Sequence, residues 1–235
     1  MKLNKISSFV FCLLLLLLVF NGYYFFIHRG LSPFFYIQKF TNTPTDNILE
    51  SEIYKDLSEE YFNFNKNILD SKIVFVGDSI TKRFNLHEFC KNHKIINRGI
   101  FSDTTHGLLN RLESNVNNLK IEKLFVMIGY NDLKFRTNEQ IVKNIIQIVT
   151  KSKSKQIYIQ SLLPVRSDEP ETNERIIAIN ENLNKFMIEG NYIYVALHSY
   201  FIDHNNGLKS GLSRDGVHLN YLGYKLWFAL IEPLL

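Results

Sequence analysis

"VFVGDSITKRF", residues 74–84, decides the fold. Three apolar residues run into Gly77, then Asp78 and Ser79, then a segment that patterns as helix. A short continuous apolar run of this kind, bounded by a turn signal, is how a strand buried on both faces looks in sequence. Working outward, the same unit recurs. "KIINRG" (94–99), "KLFVMIG" (123–129), "QIYIQSLL" (156–163) and "NYIYVAL" (191–197) predict four more strands. Helical patterns separate them at about 80–91, 104–119, 138–152 and 173–189, and "NYLGYKLWFALIEPLL" (220–235) closes the chain with another. Strands alternating with helices predict an α/β fold: a five-stranded parallel sheet of flavodoxin-like order, covered on both faces. No internal repeat is present.

In such a sheet ligands sit beyond the carboxyl ends of the strands. Gly77, Asp78 and Ser79 follow the first strand there, and Gly129, Tyr130, Asn131 and Asp132 follow the third. Asp215 and His218, in "DGVHLN", precede the last helix. Singly these residues are ambiguous. A serine after Gly-Asp caps helices, Asp-x-x-His occurs in turns, and Asn131 fits a turn. Their convergence on one edge is the functional signal. A serine hydroxyl needs a base to become a nucleophile. His218 supplies one, and Asp215 orients it three residues away, with Gly216 freeing the turn and Asn220 capping the helix.

Composition narrows the classes. The chain has 235 residues, 46% hydrophobic, with a net charge of +4. The densest basic cluster, Lys151, Lys153 and Lys155, reads as a solvated loop, and nothing suggests a nucleic-acid partner. Cys12 and Cys90 are far apart in sequence and predict no disulfide. No histidine pair has metal-ligand spacing, so no metal site is expected. Residues 6–27 are almost free of charge and would reach about 33 Å as a helix at ~1.5 Å per residue, enough to cross a bilayer. Lys2 and Lys5 outweigh Arg29 and predict a cytoplasmic N-terminus. The expected organisation is a signal anchor over 1–27, a juxtamembrane spacer over 28–54 and an extracytoplasmic domain over 55–235. The helix opening that region, from a Ser51 cap, is expected to bury Ile53, Leu57, Tyr61 and Phe64.

Four blocks in order, "VFVGDSI", "INRGIFSDTTHGLLNRL", "MIGYND" and "SRDGVHLNYLGY", resemble the SGNH (GDSL-type) hydrolases from about residue 50 to the end, most of all the platelet-activating-factor acetylhydrolase and lysophospholipase-like branch. The resemblance implies a three-layer α/β/α sandwich and a cofactor-free esterase or lipase. It implies Ser79 as nucleophile and Asp215 and His218 as the rest of a triad. The oxyanion hole would comprise Ser79, Ser102 and Asn131. The family has glycine immediately before the Asp-Thr pair where this chain has Ser102; Gly99 lies three residues earlier. The reading that results is a membrane-anchored serine esterase acting on a small acyl ester of an envelope carbohydrate or lipid. Its rivals are an acyltransferase with the same triad and a catalytically weak envelope-binding protein.

Overall fold

A computed structural model describes residues 46–68, 73–91, 94–167, 169–189 and 192–235. The expected anchor over 1–27 and Cys12 lie outside the described residues, as does the spacer up to residue 45. Among the described residues no helix is long and apolar enough to cross a membrane. The compact unit runs Asp46–Leu235.

Five parallel strands form one sheet: β1 (Ile73–Gly77), β2 (Ile95–Asn97), β3 (Lys123–Met127), β4 (Gln156–Gln160) and β5 (Ile193–Val195), in the order β2-β1-β3-β4-β5. This is the flavodoxin-like order. The register aligns Phe75 with Phe125 and Phe125 with Tyr158. Their rings stack across the three central strands at centroid distances of 4.6 and 4.4 Å. Every residue of β1 is buried, as a strand covered on both faces requires.

The helices form the outer layers of a three-layer sandwich. They are α1 (Glu52–Asn65), α2 (Ser79–Lys82), α3 (Leu86–Phe89), α4 (Thr105–Leu112), α5 (Asn138–Lys151), α6 (Pro170–Glu189), α7 (His198–Phe201) and α8 (Tyr221–Ile231). α4, α5 and α6 pack in sequence. From α8, Trp227 and Tyr224 stack on Phe84, which itself meets Phe75 edge-on. Trp227 is fully buried, and its Nε1 donates to Gln160 Oε1 at 2.7 Å.

Several expected boundaries move. The strands are shorter than their apolar runs, because Ile128, Leu162, Leu163 and Leu197 are buried in the loops beyond the ladder. The helix expected over 80–91 is two short ones, α2 and α3. α4 continues into a wider π turn over Glu113–Asn117. The helical face of α1 also differs from expectation. Tyr61 is buried and Leu57 packs partly buried, as expected, but Ile53 and Phe64 are 57% and 51% exposed, and Tyr54 and Asn65 are buried instead. The buried face is the one whose polar tips reach α4 and the loop after β2. Tyr54 Oη donates to the Gly107 carbonyl and Tyr61 Oη to the Gly99 carbonyl, each at 2.8 Å. Ser51 stands at the N-cap but its side chain makes no capping bond.

Candidate active site

β1 ends at Gly77, and there is no room for a side chain there. A methyl group would collide with the Met127 carbonyl oxygen and the Thr81 hydroxyl. This close approach lets the chain turn directly from the sheet into α2. Asp78 caps that helix, accepting from the Ile80 N–H at 2.9 Å. Ser79, the first helical residue, is therefore half-buried at the sheet edge.

The loop before α8 brings the other two side chains to it. A bridge between Ser213 and Leu219 closes this loop, and Gly216 turns it at φ 88°. The Gly216 carbonyl accepts from the Arg166 N–H at 2.9 Å, which ties it to the segment after β4. Asn220 caps α8 through Gly223 N–H, as expected. His218 Nε2 lies 2.9 Å from Ser79 Oγ, and His218 Nδ1 lies 2.7 Å from Asp215 Oδ2. A carboxylate only accepts, so the ring proton belongs on Nδ1 and Nε2 is the acceptor facing the serine. Asp215 Oδ1 accepts from the backbone N–H groups of Val217 and His218 at 3.0 and 2.8 Å. Partial desolvation raises the Asp215 pKa, but these N–H groups and the His218 ring outweigh it and hold the carboxyl well below its usual range. Asp215 is thus a fixed negative charge.

The loops after β2 and β3 meet each other at the same edge of the sheet. Asn131 Nδ2 donates to the Asp103 carbonyl at 3.0 Å, which orients its amide and leaves a second N–H. Ser102 is exposed, with φ 58°, in the left-handed region that glycine prefers. Among the described residues its backbone N–H has no acceptor, nor does that of Ser79. Gly99, by contrast, donates its N–H to Asn97 Oδ1 at 2.8 Å, and a methyl there would collide with Lys82 backbone.

A buried polar cluster beneath these loops escaped sequence reasoning. Asp103 pairs with Arg111, both almost wholly buried, through Nε at 3.0 Å. Asp132 accepts from the Thr105 N–H and hydroxyl at 2.8 and 2.5 Å and lies 3.1 Å from Arg136. Asp46 accepts from the Thr104 hydroxyl at 2.9 Å and lies 2.6 Å from Arg136. Burial pushes Asp78 up to about 7, with Asp103 and Asp132 adding to the shift against the Ile80 N–H. The signal available in sequence was a single aspartate in each of two polar stretches that follow apolar strand runs, "SDTT" and "YND".

Known proteins share this architecture. A Streptococcus pneumonia chain described as a platelet activating factor is 25% identical, with a TM-score of 0.69 over 86% of this chain and 99% of its own. A GDSL-like lipase from Bacteroides thetaiotaomicron is 22% identical, with a TM-score of 0.69 over 75% and 96%. An acetylxylan esterase from Geobacillus stearothermophilus is 18% identical, with a TM-score of 0.58 over 70% and 94%. No curated protein matches the sequence. The profile of the GDSL-like Lipase/Acylhydrolase family matches residues 75–226, the span that holds Ser79, Asn131, Asp215 and His218. The chain therefore belongs to the GDSL-like lipase/acylhydrolase family, and it is a carboxylic ester hydrolase.

Proposed function

We propose that the protein hydrolyses a small acyl ester, of acetyl type, through an acyl-enzyme on Ser79. The observation that carries this is the continuous chain Ser79 Oγ, His218 Nε2, His218 Nδ1, Asp215 Oδ2, with steps of 2.9 and 2.7 Å across the joints between residues. Ser79 Oγ attacks the ester carbonyl carbon as its proton passes to His218 Nε2. Asp215 stabilises the imidazolium without taking its proton. The oxyanion is met by the backbone N–H groups of Ser79 and Ser102 and by the second N–H of Asn131. Collapse breaks the ester C–O bond, and His218 returns the proton to the leaving alcohol. Water then attacks the acyl-Ser79 carbonyl, gives its proton to His218, and releases the acid and the free serine.

The apolar run over 6–27 supports a membrane anchor with the domain outside the cytoplasm. Envelope carbohydrates or lipids bearing O-acyl groups are the substrate class consistent with that placement. The test is labelling by a fluorophosphonate together with hydrolysis of 4-nitrophenyl acetate. The wild-type chain reacts in both assays, and Ser79→Ala, still folded by circular dichroism, reacts in neither. Full turnover by folded Ser79→Ala would end this reading.

A further inference from the structure

A cavity of about 300 Å³ abuts His218; Arg83, Arg214, Asp215 and Tyr221 are among its lining residues. A neighbouring cavity of about 460 Å³ shares Arg83 and Tyr221 and runs on to Glu88 and Phe89. Both arginines are fastened to the site itself. Arg83 ends α2 one turn after Ser79, its N–H bonding the Ser79 carbonyl at 3.1 Å. Its guanidinium carbon lies 6.0 Å from the centre of the Phe101 ring, next to Ser102. Arg214 directly precedes Asp215. Both are exposed, and neither is in an ion pair among the described residues.

One carboxylate lines the first cavity, Asp215. Its Oδ2 is engaged by His218, and its Oδ1 by two backbone N–H groups and the Ser213 hydroxyl. It pairs with His218 rather than with Arg214, and its one charge faces two arginines. The chemistry says which part of a substrate this cavity holds. His218 Nε2 must hand its proton to the leaving oxygen, so the alcohol portion of the ester lies on the His218 side. Two guanidiniums without a direct ion-pair partner, against the single charge of Asp215, leave this lining net positive and suited to bidentate contact with a phosphate or carboxylate. Glu88, on the wall of the second cavity, disfavours an anion further out.

We propose, on the basis of the esterase reading above, that Arg83 and Arg214 form a specificity site for esters whose alcohol portion carries an anionic group. The group is a phosphate or a carboxylate, and the test separates the two. Initial rates on the full chain are compared for neutral 1-acetylglycerol, 1-acetylglycerol 3-phosphate and 3-acetoxypropanoate. At low salt kcat/KM for at least one anionic ester exceeds that for the neutral one by about tenfold or more, the scale of a charge-assisted contact. The excess shrinks as salt is added. Arg83→Gln and Arg214→Gln each reduce this ratio, chiefly through KM, and the double variant brings it near one. A larger excess for the phosphate names phosphate as the ligand; a larger excess for the propanoate names carboxylate. A wild-type ratio of one, or a ratio that survives in the double variant, overturns the proposal. Calorimetric titration with glycerol 3-phosphate and 3-hydroxypropanoate separates this failure from failure of the esterase reading. Binding of either that the double variant loses, in a chain that turns over none of the esters, supports the anion site and sinks the esterase reading. Binding of neither in such a chain sinks both.

Discussion

Ser102 stands where the family pattern has glycine, and its φ of 58° gives that departure a physical cost. A non-glycine residue held in the left-handed region stores roughly 1–2 kcal/mol. Glycine would relieve that strain but adds about 0.5–1 kcal/mol of unfolded-state entropy. Ser102→Gly should therefore change stability by no more than about 1 kcal/mol and keep or raise kcat. Ser102→Pro removes the N–H and forces φ negative, so kcat should fall steeply. Ser102→Ala keeps the N–H and should resemble wild type; a large loss in Ala with no gain in Gly assigns the donor to the hydroxyl instead. Asn131 acts through its side chain. Loss of one oxyanion donor costs ~2.7–4 kcal/mol in kcat. Asn131→Ala should accordingly lower kcat by about two to three orders of magnitude with little change in KM; a change confined to KM would reduce Asn131 to a substrate contact. Asp78 makes a pH prediction. Its carboxyl loses a proton near 3.8 in the unfolded chain but holds it to about 7 in the folded one. Between those values the unfolded state binds fewer protons, so this group's contribution to stability falls as pH rises, and is flat above about 7. Asp78→Asn can keep the cap to Ile80 without the charge. The Tm advantage of Asp78→Asn over wild type should grow from pH 4 to pH 8, and an equal difference at both would refute the buried, proton-holding carboxyl.

At the scale of elements, α1 is a polar clamp on α4 and on the loop after β2 rather than a simple apolar stripe. Its Tyr54 and Tyr61 hydroxyls satisfy the Gly107 and Gly99 carbonyls, and Lys82 Nζ donates to Tyr61 Oη at 2.8 Å. Tyr61→Phe keeps the packed ring but leaves a buried carbonyl without its donor, which costs about 1–3 kcal/mol. Thermal unfolding of Tyr61→Phe should show this loss, and an unchanged Tm would mean the helix docks through its apolar surface alone. The same element explains a misread pattern. Ile53, Leu57, Tyr61 and Phe64 keep helical spacing, yet a stripe centred on Tyr54, Tyr61 and Asn65 keeps it as well. Periodicity finds the helix but does not choose between adjacent faces when aromatic residues lie on both. The choice fell to the stripe whose polar tips had carbonyls to meet.

For the whole molecule, the anchor proposed for residues 6–27 has the largest biological consequence. The apolar run over 6–27 predicts that full-length chain sediments with membranes and that protease added outside the cytoplasm reaches the domain. A chain beginning at Asp46 should be released, since the compact unit starts there. Recovery of intact full-length chain in the cytoplasmic supernatant would contradict the anchor. The sequence by itself determined the strand–helix alternation, the parallel order of the sheet and the edge at which Ser79, Asn131, Asp215 and His218 gather. Each of these follows from local pattern: buried strands read as short apolar runs, and β-to-α turns put their polar residues at one end. Tertiary structure alone decided the rest. The sign of φ at Ser102 depends on loop packing, and nothing in "FSDTT" reveals it. The Asp46–Thr104 bond and the Asn131–Asp103 contact join residues from different loops, and the Asp103–Arg111 pair ties a loop to α4. Arg83 and Arg214 are 131 positions apart by subtraction of their residue numbers and line one cavity only because α2 and the loop before α8 meet at the sheet edge. Such long-range polar contacts carry no periodicity, since they are fixed by where the folded backbone brings unlike elements together.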